Sequence, residues 1–111
     1  MLSNDDRVRL MHMLDATIKA TKLATGKTKV DLETDEVMSL AIVRLLEIIG
    51  EAAKSVSEDV RDSWSSIPWK QIAGTRDRLI HGYFNVDLDI VWSIVSQDLP
   101  ALKRALQDIL E

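Results

Sequence analysis

Residues 36–55 read EVMSLAIVRLLEIIGEAAKS, and the fold turns on how this stretch is read. Twenty residues without a proline are too long for an ordinary strand, and Leu, Ile, Ala and Glu recur at helical rather than alternating spacing. At about 100° per residue, Ala41, Leu45, Ile48, Ile49, Ala52 and Val56 fall on one apolar face. A second stripe runs beside that face, with Leu40, Arg44, Glu47 and Glu51 spaced four, three and four apart. Such a stripe is either a solvated edge knitted by i,i+3 and i,i+4 pairs or, given its place against the core, the wall of a site. Thr34 begins the segment, and Asp35 and Glu36 suit the positive end of its dipole.

Working outward, the preceding chain reads as a helix over roughly residues 4–24. Ser3 followed by Asp6 makes an N-terminal capping arrangement, and Val8, Met11, Leu14, Ile18 and Leu23 recur near helical spacing. Thr25-Gly26-Lys27 closes it, Gly26 being suited to a left-handed C-terminal position. Beyond the central stretch, Ser57 to Ser66 reads as a short helical turn and a serine-rich loop. Pro68 suits the first turn of another helix, with Trp69 behind it. A last helix starts near Asp87 as N-cap and turns Leu88, Val91, Trp92, Val95 and Leu99 inward. Pro100 is expected to kink or restart it, after which Leu102, Leu106, Ile109 and Leu110 continue the stripe. No strand-like alternation and no repeat stands out. The expectation is all-α: one domain over 1–111, an up-and-down bundle of four to five helices.

Composition agrees. With 46% hydrophobic and 29% charged residues the chain reads as an ordinary globular domain, and its four glycines and two prolines leave few breakers. A chain of 111 residues buries only about two-thirds of its unfolded surface, so dimerisation would relieve a modest core. The absence of cysteine excludes disulfides, thiolate metal sites and thiol nucleophiles. No apolar run approaches the roughly 18 residues of a membrane span. The acidic start, Met1-Leu2-Ser3-Asn4-Asp5-Asp6, lacks the basic and apolar regions of a signal peptide, so a cytoplasmic location is expected. A formal charge of −4 argues against a broad phosphate-gripping surface, so any nucleic-acid contact should be local.

The chemistry-bearing stretch is Arg76-Asp77-Arg78-Leu79-Ile80-His81-Gly82-Tyr83, which holds one of two histidines and the only tyrosine. If residues 69–83 form one helix, Trp69, Ile72, Ala73, Leu79 and Ile80 share an arc of about 120°. Arg76 falls inside that arc and Tyr83 in the same direction, while Lys70, Gln71, Asp77, Arg78 and His81 fall outside. An unpaired cation among packed helices is costly. Arg76 therefore has three readings: a structural ion pair with Glu47 or Glu51, a fork for an anion such as phosphate in a cleft between protomers, or both. His81 stands about 140° from Arg76 on a straight helix. The two converge only if the helix ends near Gly82, Arg76 bends round, or a second chain completes the site. Histidine at a helix C-terminus can simply complement the dipole, and titrating near neutrality it is equally an acid–base candidate. Tyr83 reads as a packed aromatic with its hydroxyl at the surface. His12 reads as structural, and Trp64, Trp69 and Trp92 as core or interface anchors. No phosphate-cradling glycine loop, serine elbow or metal-ligand cluster is visible, and no cofactor is implied.

The pattern Arg, four residues, His, one residue, Tyr resembles the signature of the HEPN superfamily, and in particular the HepT-like toxins paired with MntA-type minimal nucleotidyltransferases. The resemblance extends over most of residues 4–110. It takes in Glu47-Ile48-Ile49-Gly50-Glu51-Ala52-Ala53, Ile67-Pro68-Trp69, Arg76 through Phe84, and Asp87 to Trp92. It implies a dimerising bundle whose two motifs line a shared cleft, and a metal-independent endoribonuclease acting on RNA. By the same resemblance Arg76 would bind and polarise the scissile phosphate. His81 would move a proton as the ribose 2′-hydroxyl attacks, a nucleophile the RNA itself carries. Tyr83 would receive AMP from the nucleotidyltransferase antitoxin, blocking the cleft. Asp77 departs from the asparagine common at that position in HEPN proteins and sets an anion where RNA phosphate would approach. Two classes of function are thus in play. One is a toxin ribonuclease in a toxin–antitoxin system, and the other a non-catalytic helical module that docks a nucleotidyltransferase.

Overall fold

The computed structural model describes residues 2–81 and 85–111, with His81 described in its backbone alone. Two long helices and one long composite helix form the frame. Helix α1 spans Asn4–Ala24 and α3 spans Glu36–Lys54, and α1 lies against both α3 and the C-terminal helix α8 (Leu99–Leu110). The shorter helices α2 (Lys29–Thr34), α4 (Glu58–Ser63), α5 (Trp69–Ala73), α6 (Thr75–Leu79) and α7 (Leu88–Ser93) close the ends and one side. The all-α bundle expected from the sequence is the architecture found, with more and shorter helical segments than expected.

The sequence explains where each frame helix starts and stops. The Ser3 hydroxyl accepts the Asp6 amide at 3.1 Å to cap α1, and Gly26 takes φ +73° beyond its end. Buried Leu10, Met13, Ala16 and Ala20 form its inner face. Helix α2 was not expected. Its signal is a capping box, in which the Thr28 hydroxyl accepts the Asp31 amide at 3.2 Å and Asp31 accepts the Thr28 amide at 2.8 Å. The cap of α3 is Asp35 rather than Thr34, its carboxylate accepting the Met38 amide at 3.1 Å.

The buried stripe of α3 is Met38, Ile42, Leu46, Ile49 and Ala53. Of the face expected from the sequence, Ile49 and Val56 are buried, while Ala41, Leu45, Ile48 and Ala52 are half-buried. The inward direction is therefore turned by about 70° from the expected one. Both stripes are apolar over much of the helix, so periodicity alone could not choose between them.

The C-terminal helix bears out the expectation for Pro100. Between α7 and α8 the chain makes a π-helical turn, Ile94–Asp98, in which the Leu99 amide bonds back to the Ile94 carbonyl. Proline at 100 has no amide to offer the Ser96 carbonyl, and the wider turn absorbs the misfit. It also turns Ile94 inward beside Val91, Val95 and Leu99.

Two side-chain ties, one long-range and one local, hold the frame. Asp6, 7% exposed, accepts the Ser57 amide at 2.9 Å and the Ser57 hydroxyl at 2.6 Å, joining the start of α1 to the cap of α4. Arg61 on α4 donates to the carbonyls of Ala53 at 2.7 Å, Lys54 at 3.0 Å and Val56 at 3.1 Å. The first two carbonyls belong to the last turn of α3, where a cation also complements the dipole.

Candidate active site

The expected helix over residues 69–83 is broken in two. Helix α5 stops at Ala73, Gly74 follows, and α6 runs only from Thr75 to Leu79. Glycine is a poor helix former. At the same point the Thr75 hydroxyl donates to the Ile72 carbonyl at 2.6 Å, occupying the acceptor that Arg76 would use in a continuous helix. The buried face moves round at this break. Trp69 is buried on α5, and Thr75 and Leu79 are buried on α6. Arg76 consequently stands outward, its side chain 65% exposed, and not on the packed side where a single wheel places it.

The break sits directly on α3. A Cβ at Gly50 would lie 3.1 Å from the Ile72 carbonyl oxygen and 3.5 Å from the Thr75 Cβ, so only glycine allows this approach without displacement. Glu47, one turn earlier on the same helix, then reaches Arg76, with Oε2 3.9 Å from Nε. That separation is too long for the 2.7–2.9 Å of a charge-assisted hydrogen bond. Glu47 is 23% exposed, so the acid is the more buried partner and the guanidinium faces solvent. Of the two candidate acids, Glu47 is the one that meets Arg76. Glu51 instead lies 3.7 Å from Lys54. Asp77 is exposed and makes no hydrogen bond or ion pair through its side chain among the described residues.

Helix α6 ends at Leu79, three residues before Gly82. Ile80 takes φ −105°, ψ 115°, and the chain enters a two-residue strand β1 (Ile80–His81) paired antiparallel with β2 (Asn85–Val86). This small ladder is a departure from helix that the sequence pattern did not signal. Ile80 faces Val86 and His81 faces Asn85, and the Asp87 amide bonds to the Leu79 carbonyl at 2.7 Å to close the hairpin. His81 therefore follows Arg76 on extended chain, and the 140° separation of the ideal wheel does not apply. Its reading as a helix C-terminal residue is corrected to a strand position. Tyr83 lies outside the described residues.

The aromatic anchors are placed as core residues. Trp69 is buried with its indole N–H donating to the Trp64 carbonyl at 3.0 Å, and Trp64 and Trp92 are half-buried against the core. His12 is exposed on α1. The hydroxyl and amide of Ser57 hold the Asp6 carboxyl below its ordinary value, and the Asp89 carboxylate beside Lys29 raises that ammonium above its own. No described helix is long and apolar enough to cross a membrane.

Sequence reasoning passed over two residues. Gly50 figured only within a quoted motif, although it fixes the distance between α3 and the α5–α6 break. Arg78 lies two residues beyond Arg76 and lines a cavity bounded by α3, α5 and the C-terminal helix. Neither role is legible without knowing which helices meet.

Known proteins resemble this chain along most of its length. A family model described as ribonuclease HepT-like matches residues 13–109. A Caldanaerobacter subterraneus subsp. tengcongensis protein named as a candidate RNase is 39% identical over 95% of this chain and 94% of its own. A Thermococcus cleftensis protein named "Probable ribonuclease HepT" is 44% identical over 71% of this chain and 72% of its own. A Methanocaldococcus jannaschii protein named as a gamma-glutamylcyclotransferase and candidate RNase is 36% identical over 99% of this chain, which spans 50% of that relative. No solved structure matches the chain significantly. With a family model covering residues 13–109 and relatives of this identity, the chain belongs to the HepT-like ribonuclease family.

Proposed function

We propose that this protein is a cytoplasmic, metal-independent endoribonuclease, the toxin of a toxin–antitoxin pair. The observation that carries the reading is Arg76: a guanidinium steadied by Glu47, open to solvent, and one short helix turn ahead of the strand bearing His81. Arg76 binds the scissile phosphate and stabilises the charge that develops on its oxygens. The ribose 2′-hydroxyl attacks phosphorus, His81 assists the proton transfer, and the 5′-oxygen leaves. The products are a 2′,3′-cyclic phosphate and a 5′-hydroxyl. Nothing in this step requires a metal, so cleavage should persist in EDTA.

The site is completed by a second copy. Helix α3 presents Val37 and Leu40 to solvent, 78% and 63% exposed. Leu40 lies on the same stripe as Arg44 and Glu47. A dimer sealed on that apolar end would bring two Arg76 side chains towards one cleft. An MntA-type nucleotidyltransferase antitoxin silences the site when the Tyr83 hydroxyl attacks the α-phosphorus of ATP and expels pyrophosphate. The AMP left on Tyr83 adds bulk and negative charge to the motif that supplies Arg76 and His81.

A second reading is favoured by exposed Asp77 and the net charge of −4: a non-catalytic module that docks the nucleotidyltransferase and serves as its substrate. Incubating the purified protein with RNA in EDTA separates the two. Cleavage that disappears in both Arg76→Ala and His81→Ala supports the nuclease, and no cleavage by the unsubstituted chain supports the module. Mass spectrometry after co-expression with the nucleotidyltransferase should find the AMP on Tyr83, and an adduct on another residue would refute that assignment.

A further inference from the structure

A cavity of about 310 Å³ opens between α3, α5, α6 and the π-helical turn. Its floor is apolar and buried: Leu46, Ile49, Ile67, Ile94, Leu99 and Leu102. Its mouth is polar, with Gln71, Gln97 and Asp98 exposed and Arg78 half-buried. The volume is that of a small-ligand site, and such sites combine an apolar interior with few orienting polar groups. The Arg78 guanidinium has no hydrogen bond or ion pair among the described residues, so it is a charge held at the mouth of an apolar cavity with no carboxylate within ion-pair distance. The π-helical turn contributes Ile94, Gln97 and Asp98 to the lining, and such turns recur at functional sites. Arg76 and Arg78 are two residues apart on α6, about 200° round the helix, so this cavity and the Arg76 surface lie on different sides of it.

We propose that this cavity binds an amphipathic carboxylate, its apolar body on Ile94 and Leu102 and its head on Arg78. The two glutamine amides at the mouth accommodate the rest of the head, and Asp98 disfavours a second negative charge. The site is independent of RNA cleavage and is read by binding alone.

The test is methyl NMR of the full chain titrated with octanoate, octylamine and octanol. Octanoate should shift the methyls of Ile72, Ile94 and Leu102 saturably, with a dissociation constant at least tenfold below that for octylamine. Arg78→Gln should bring octanoate and octanol to similar affinity, and Ala105→Trp, which fills the cavity from α8, should abolish the shifts. The absence of saturable shifts with octanoate, equal binding of octylamine, or an unchanged preference in Arg78→Gln would each overturn the proposal. Arg78→Gln alters only a half-buried side chain near the mouth, so it keeps the test decisive if Ala105→Trp fails to fold.

Discussion

At Arg76 a structural role and a catalytic role separate cleanly, because its partner is weakly held and its charge is exposed. An exposed ion pair contributes about 0–1 kcal/mol, so Arg76→Ala should leave the urea midpoint almost unchanged. Removing a preorganised group that stabilises developing charge costs about 10²–10³ in rate. RNA cleavage by Arg76→Ala should fall by that factor, measured on a fluorescent oligoribonucleotide. Arg76→Lys should recover only part of it, since an ammonium keeps the charge but loses the fork. A variant that loses stability and keeps its cleavage rate would make Arg76 a structural residue. Asp77 gives the complementary expectation. Replacing it by Asn removes an anion beside the phosphate path, and RNA affinity should rise by up to about fivefold at low salt, equivalent to ~1 kcal/mol between charges about 4 Å apart in water. The gain should vanish at high salt.

Among the elements, the α5–α6 break explains both what the sequence disclosed and what it concealed. The long helices were legible because caps and breakers bound them: Ser3 and Gly26 around α1, the 36–55 stretch for α3, Asp87 and Pro100 for the last. The motif residues were legible too, as a cluster of rare residue types. Their orientation was not. A wheel assumes one continuous helix, and the chain interrupts it where Gly74 weakens it and the Thr75 hydroxyl takes the Ile72 carbonyl. That contact is made at the surface of α3, so its consequence is tertiary. Gly50 is the test. A Cβ added there would meet a backbone carbonyl, which cannot move aside as a flexible side chain could. Gly50→Val should cost about 1–3 kcal/mol by overpacking. It should also push Arg76 from Glu47 and lower cleavage in the fraction that remains folded by circular dichroism. The Asp6–Ser57 tie gives an expectation in pH. Both bonds favour the carboxylate, so the folded-state value lies below 3.8, the value of an unperturbed aspartate. Its stabilisation is therefore complete above that pH and is lost as pH falls through the lower folded-state value. Asp6→Ala should cost about 1–3 kcal/mol at pH 7. The gap between the two urea midpoints should close below about pH 4. A gap constant down to pH 2 would show that packing, not the carboxylate, makes the tie.

At the scale of the whole molecule, shape and surface bear on the proposed dimer. The chain's extents are 44 × 30 × 21 Å, and the thinnest is about two helix diameters, so each frame helix keeps an outer face. On α1 the exposed apolar residues are Val8, Met11, Ile18 and Leu23, the stripe read from its spacing, while Leu10, Met13, Ala16 and Ala20 face inward. At the start of α3 they are Val37 and Leu40, followed by half-buried Ala41, while Leu45 and Ile48 further along are packed against the core. Scattered apolar residues need no explanation, but Val37 and Leu40 are the most exposed large apolar residues among those described, and they adjoin each other at one helix end. This exposed pair lies N-terminal to Glu47, which meets Arg76, so a partner seated there would form a wall beside the candidate site. A charge placed at the centre of such a contact is desolvated without a partner, while on the free monomer it stays in water. Leu40→Asp should therefore leave the helical content and the thermal midpoint of the monomer nearly unchanged. In sedimentation at micromolar concentration it should shift the mass from about two chains to one. RNA cleavage should fall with the dimer fraction and recover as protein concentration is raised, which a defect in Arg76 or His81 does not do. A Leu40→Asp protein that sediments as a monomer and cleaves at the full rate would place the complete site within one chain.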